Sequence, residues 1–285
     1  MGVLTWNLFH GRDFPPNPAL FTRRSRLLGT TERNATHAQV NRPLLGEFAG
    51  LLAGEDWQVA LLQEAPPRWL RPLGRRCGAG GASALTSRNL GAAGRAWVAE
   101  RNPDLIASNE GGSNQILVRP PWRLTRVRRL TLTHRPERRS LLWACLESED
   151  GRTLAVANMH LSTVRELAER EVLTAAEQAV AWSAGAPLVF GGDLNLRPRD
   201  SPATFAALEQ RFALAAPTGP RAIDHLLVRG LEVEAPPRAL PTALREVRGD
   251  DGLAIRLSDH APVTASVRLA SDGPDARKAL LPDGL

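Results

Sequence analysis

Short apolar runs, each ending or beginning on a polar side chain, recur along this chain. Val3-Leu4-Thr5-Trp6 ends at Asn7, Trp57 to Leu62 at Gln63 and Glu64, and Leu154 to Ala157 at Asn158 and His160. Leu188-Val189-Phe190 passes through two glycines to Asp193 and Asn195, between Pro187 and Pro198. Runs of this length bounded by turn residues read as buried strands. Two further strands carry their polar residues at the start: Ala222 to Val228 beside Asp224, and Ser258 to Val267 with Asp259 and His260. Ile116 to Val118, Leu124 to Leu132 and Leu141 to Leu146 read as a meander.

Helical spacing joins Val40, Leu44, Leu45, Phe48, Leu51 and Leu52, and predicts helices over 164–184, near 203–209, and from Pro66-Pro67 through Arg75. Between these elements, His10 to Ala38 is polar and holds Pro15, Pro16 and Pro18. A stretch this long is expected to be a functional or mobile loop. Cys77 to Gly94, rich in Gly, Ala and Ser, is expected to be irregular. Strands alternating with helices make this an α/β chain. One domain is expected over 1–270, with a polar, disordered tail over 271–285.

With 285 residues and 43% hydrophobic content, the chain can bury a sizeable core. No apolar run approaches the ~20 residues that span a bilayer, so no transmembrane segment is expected. No charged and apolar leader opens the sequence. Cys77 and Cys145 stand in unrelated settings, which makes a reducing interior the default. A cytoplasmic monomer is the expectation. The net charge of +6 suits an anionic partner. Lys278 is the only lysine, so the arginines reflect a coding bias as much as a need for guanidinium.

The chemistry lies where strands end. Residues i and i+2 of a strand share a face, so Asp193 and Asn195 project together. Taken singly, each polar residue has an ordinary explanation: a solvated carboxylate at Glu64, a satisfied histidine at His160, a turn at Asp259-His260. If the strands of Asp224 and of Asp259-His260 run antiparallel to the rest, every set meets at one edge of a sheet. Asn7 and Glu64 then offer hard oxygen ligands that suit Mg2+, or Mn2+, better than zinc. An Asp–His pair gives an oriented imidazole.

In order, the residues T-W-N at 5–7, Q-E at 63–64, N-x-H-L at 158–161, G-D-x-N at 192–195, I-D-H at 223–225 and S-D-H-x-P-V at 258–263 resemble the endonuclease/exonuclease/phosphatase superfamily. The resemblance implies a four-layer α/β sandwich, two packed mixed β-sheets flanked by helices, and metal-dependent phosphoester hydrolysis. It implies Glu64 as principal metal ligand, with Asn7 and Asp259. It makes Asp193 the group that orients or deprotonates the attacking water, with Asn195 holding the water or a phosphate oxygen. His260, oriented by Asp224, would contact the phosphate, and His160 would bind a phosphate oxygen or help protonate the leaving group. Asn114 is matched to a turn near the phosphate, and Asn158 is counted with the substrate-binding residues. The abasic-site branch carries a tyrosine where this chain has His160, and this chain has no tyrosine.

The leading expectation is a nuclease, with Arg23, Arg24 and Arg26 tracking backbone phosphates. The alternatives are a phosphatase or phospholipase acting on an inositol phosphate or sphingomyelin-like substrate, and a catalytically dead binding protein. The intact set of carboxylates and histidines argues against the last.

Overall fold

The computed structural model describes residues 1–87 and 91–269. The expected tail, 271–285, lies outside the described residues.

Strand β1 (Gly2–Asn7) leads into a long connection that holds helix α1 (Arg23–Leu28) and a ribbon of β2 (Glu32–Arg33) and β3 (Ala38–Gln39). Then come α2 (Leu45–Gly54), β4 (Val59–Ala65), α3 (Leu70–Cys77), β5 (Gly80–Thr86), α4 (Ala92–Ala99), α5 (Pro103–Ile106) and β6 (Gly112–Val118). The meander β7 (Trp122–Thr133), β8 (Arg139–Ser148) and β9 (Thr153–His160) follows. The long helix α6 (Arg165–Ser183) precedes β10 (Leu188–Asp193), α7 (Pro202–Phe212), β11 (Asp224–Arg229) and β12 (Leu231–Ala239). A second ribbon, β13 (Glu246–Arg248) with β14 (Ala254–Arg256), precedes the last strand, β15 (Val263–Leu269).

Two mixed sheets carry the fold: six strands in the order β12-β15-β1-β4-β6-β5, and five in the order β11-β10-β9-β8-β7. Val3, Val59, Leu61 and Ile116 of the first sheet meet Leu142, Val156, Val189 and Leu226 of the second in one apolar core. The other face of the first sheet packs Leu4, Trp6 and Leu62 against Phe48 and Leu52 of α2 and Leu73 of α3. The other face of the second packs Phe190 and Met159 against Val172 of α6 and Leu208 of α7. This is the four-layer arrangement: helices, sheet, sheet, helices. The continuous apolar runs of the central strands dictate it, because a strand that is apolar on both faces must be covered on both.

Between the sheets lies one polar bridge. Asn158 on β9 donates to Leu62 O and Gln115 O of the first sheet at 2.9 and 2.7 Å, and accepts from Gln63 Nε2 at 2.7 Å. Gln63 also reaches Thr5 Oγ1 of β1 at 3.0 Å. Asn158 is fully buried, and its amide is spent on holding the sheets in register. The structure therefore corrects its assignment to substrate binding.

Three elements differ from the pattern read along the chain. Residues expected to be irregular form β5, because small side chains can lie flat against β6: a Cβ on Gly81 would come within 2.9 Å of Ile116 O. Strands β12 to β14 were not read along the chain; β12 is an edge strand, mostly exposed, whose Leu231, Val233 and Ala235 alternate with Glu232 and Glu234 before Pro236 and Pro237. The last strand begins at Val263, which leaves Ser258-Asp259-His260 in the loop before it. No helix among the described residues is long and apolar enough to cross a membrane.

Candidate active site

Topology brings the polar strand ends together. β1 and β4 are parallel, so Asn7 and Glu64 leave the first sheet at the same end. β15 is antiparallel to β1, so the residues before it lie at that end too. In the second sheet β9 and β10 are parallel, with His160 opposite Asp193, and β11 is antiparallel, with Asp224 opposite Asp193. Asn7 Nδ2 donates to Asp193 Oδ2 at 3.0 Å and so closes the gap between the sheets.

The backbone at the site is bent on purpose. Glu64 sits at φ 46, where the β4–β6 register slips between Leu62 and Ala65. A bulge of this kind turns one side chain out of the pleat, and left-handed backbone at a glutamate costs on the order of 1–3 kcal/mol. Asn195 is at φ 52 and its N–H donates to Asp193 Oδ1 at 3.1 Å, while Nδ2 donates to Leu161 O at 2.9 Å. Gly192 has φ 126, and a Cβ there would lie 2.0 Å from Met159 O. Only glycine lets β9 and β10 approach this closely beside Asp193.

His260 Nδ1 lies 2.8 Å from Asp224 Oδ2, and Nε2 lies 3.8 Å from Asp193 Oδ2 and 4.0 Å from Asp259 Oδ1. Burial works against its charge, but the Asp224 hydrogen bond and the surrounding carboxylates outweigh it and lift the imidazole to about 10. His160 goes the opposite way: burial, with Arg139 and His260 nearby, pushes it down to about 3 against the pull of Asp193. Arg139 Nη1 stands 3.2 Å from His160 Nδ1. A guanidinium can only donate, so Nδ1 accepts and Nε2 carries the proton, 3.5 Å from Asp193 Oδ2. One imidazole is thus a cation and the other a neutral donor.

Glu64 is pushed up to about 7, first by burial and then by the charges of Asp193 and Asp259. Crowded carboxylates with this shift fit a divalent cation, whose charge would relieve the repulsion, and the donor set of carboxylate and amide oxygens suits a hard ion. Asp193, Asp224 and His260 also bring ligand atoms within 4.8 Å of one another. The short His260–Asp224 contact marks that group as a hydrogen-bonded pair rather than two ligands.

Two residues join this site that the sequence reading did not place in it. His10, three positions past Asn7 at φ 55, puts Nε2 3.2 Å from Glu64 Oε2. Burial, helped by Arg12, holds it down at about 4, so it is neutral and steadies the carboxylate. Arg139 is buried and also pairs with Glu137 at 2.9 Å. Nothing local distinguishes it from the many arginines around it. Asn114 is fully buried, its Nδ2 donating to Ser140 O at 2.7 Å, so it shapes the wall behind the site and is not open to substrate. Arg23, Arg24 and Arg26 lie exposed on α1, outside the carboxylate cluster.

The sequence profile described as "Endonuclease/Exonuclease/phosphatase family" matches residues 4–260. No curated protein matches the chain. Among solved structures, a functionally unknown conserved protein from Enterococcus faecalis V583 is similar, with 17% identity over 95% of this chain and 100% of the other and a TM-score of 0.64. The mannosyl-6-phosphatase Bt3783 of Bacteroides thetaiotaomicron VPI-5482 has 14% identity over 94% and 98% of the two chains and a TM-score of 0.62. D. rerio TDP2, complexed with a single-strand DNA product, has 14% identity over 94% and 98% and a TM-score of 0.57. At these identities the likeness shows the fold alone.

Proposed function

The chain belongs to the endonuclease/exonuclease/phosphatase family, and from that premise we propose that it is a metal-dependent phosphodiesterase acting on nucleic acid. The observation that carries the reading is the meeting of Asp193, the neutral His160 and the cationic His260 at one point between two sheets, beside Glu64.

Glu64, with Asn7 and Asp259 beside it, would hold Mg2+ or Mn2+. Such an ion supplies charge neutralisation and polarises phosphoryl oxygens. Asp193 is held by Asn7 and by the Asn195 N–H, and it would accept the proton of a water attacking phosphorus in line. Asn195 would fix that water or a phosphate oxygen. His260, its Nδ1 tied to Asp224, presents a charged Nε2–H to an oxygen that gains charge in the transition state. His160 would offer its Nε2–H to a second oxygen or to the leaving group. Preorganised donors of this sort need no reorganisation when the charge develops.

A nucleic-acid substrate is favoured over a small phosphate by the net charge of +6 and by the α1 arginines, none of which has an ion-pair partner among the described residues. Solved structures of the same fold include both a phosphatase and a DNA-bound enzyme, so the fold does not decide the substrate.

The test is a panel with Mg2+: single- and double-stranded DNA, RNA, a sphingomyelin and an inositol phosphate. Nucleic-acid cleavage is expected. It should be lost in excess chelator and fall at least roughly hundredfold in folded Glu64→Ala and Asp193→Ala. Hydrolysis of the inositol phosphate or sphingomyelin with intact nucleic acid would replace this reading with the phosphatase or phospholipase one.

A further inference from the structure

The long connection after β1 is a built surface, not a slack loop. Phe9 N–H donates to Asn7 Oδ1 at 3.0 Å, Phe14 N–H to Arg256 O at 2.7 Å, and Ser258 N–H to Arg12 O at 3.1 Å. The connection is therefore pinned both to Asn7 and to the loop that carries Asp259 and His260. On it, three rings form a row leading away from Asn7. Phe9 and Phe14 stand 5.5 Å apart edge to face, and Phe14 and Phe21 stand 5.7 Å apart. Phe14 and Phe21 are each 37% exposed, which no core explains.

Arginines flank the row. The Arg12 guanidinium lies 4.2 Å over the Phe9 ring and pairs with Asp104 at 3.3 Å. Arg12, Phe21, Arg23 and Arg26 line a cleft of about 290 Å³. Arg23 and Arg26 have no ion-pair partner among the described residues.

We propose that this Phe9–Phe14–Phe21 row with Arg23 and Arg26 is a stacking platform for unpaired nucleotides, and that the enzyme takes single-stranded nucleic acid, threaded from the cleft past the row to Asn7. The proposal rests on the nuclease reading above. The exposed Phe14 and Phe21 rings offer a face to any base, with Phe9 under Arg12 supporting the row from behind, and arginines neutralise the phosphates between bases. Paired bases are stacked on one another and cannot lie on the rings, so a duplex gains only the charge contribution.

The experiment measures binding of a short labelled oligonucleotide by anisotropy in chelator, as single strand and as duplex. It is followed by kcat/KM with Mg2+ on both strands and on bis-nitrophenyl phosphate. The wild-type protein is expected to bind the single strand at least about tenfold more tightly than the duplex. Phe14→Ala/Phe21→Ala is expected to lose about five- to a hundredfold of that binding, on the scale of one stacked base. Its ratio of single-strand to small-diester kcat/KM should fall in step. Phe14→Trp/Phe21→Trp, which keeps the stacking faces, should retain binding. Equal affinity for duplex, a Trp variant as weak as the Ala variant, or anionic phosphatidylserine vesicles displacing the oligonucleotide would each overturn the platform. Cleavage of the small diester with no nucleic acid cut would instead overturn the nuclease reading itself.

Discussion

The two imidazoles of the candidate site, His160 and His260, differ in their partners, and the partner decides the charge. His260 owes its proton to Asp224 at 2.8 Å, which overcomes the cost of burial. His160 faces Arg139 on one side, and burial leaves it neutral. Replacing Asp224 with Asn keeps the shape and removes the charge. Without it the His260 imidazole falls back from about 10, so activity that needs the cation should be lost at lower pH than in the wild type. The basic limb of the kcat/KM profile should move to lower pH, with a drop of roughly a hundredfold to ten-thousandfold at neutral pH. A pH–rate series on folded protein checks this, and an unmoved basic limb would remove His260 as the charged donor. Glu64 makes the same point in its backbone. A glutamate at φ 46 is an expensive conformation, and it is retained where the bulge aims the carboxylate at the site.

At the scale of elements, the connection from β1 to α2 is held by a buried carboxyl. Asp13 Oδ2 accepts from Val40 N–H at 3.0 Å, which ties the start of the segment to its end. Burial, with Asp104 nearby, pushes Asp13 up to about 7 from an ordinary value of 3.8. In the window between those values the unfolded chain has released the proton and the folded chain still holds it. Stability therefore falls as pH rises through the window, with a slope of up to about 1.4 kcal/mol per pH unit. In Asp13→Asn that slope should flatten. Thermal melts from about pH 4 to 8 measure it, and identical slopes in the two proteins would show that the carboxyl ionises freely. The expected loop over 10–38 is thus a tied-down element with its own helix and ribbon. Its ties are backbone and side-chain hydrogen bonds to residues far away in sequence, which leave no periodic trace.

For the molecule as a whole, the site exists because two sheets are held at one spacing. Asn158 fixes that spacing through Leu62 O, Gln115 O and Gln63 Nε2. Truncation to alanine would remove three buried hydrogen bonds, each worth on the order of 1 kcal/mol, although Gln63 Nε2 keeps Thr5 Oγ1 and Leu61 O. Asn158→Ala should lower unfolding stability by on the order of 3 kcal/mol or more, with KM close to normal for whatever fraction stays folded. Urea unfolding and KM measured together distinguish this bridge from a substrate contact, which would raise KM and leave stability alone.

The apolar runs and their helical or strand spacing, by themselves, determined the central strands of both sheets, the helices that cover them, and which residues stand at strand ends. Asn7, Glu64, His160, Asp193, Asn195, Asp224, Asp259 and His260 were all legible, because strand polarity forces a polar residue at the end of a buried run to emerge at the sheet edge. Edge strand β12 was missed although Leu231, Val233 and Ala235 alternate with glutamates, because Pro236 and Pro237 follow at once and read as a turn. Only the tertiary structure placed His10 beside Glu64 and Arg139 beside His160, buried Asn158 and Asn114 completely, and gave the histidines different charges. Each of those outcomes depends on a partner brought within about 4 Å by sheet packing, and hydrogen bonding and burial act over that distance in space regardless of separation along the chain.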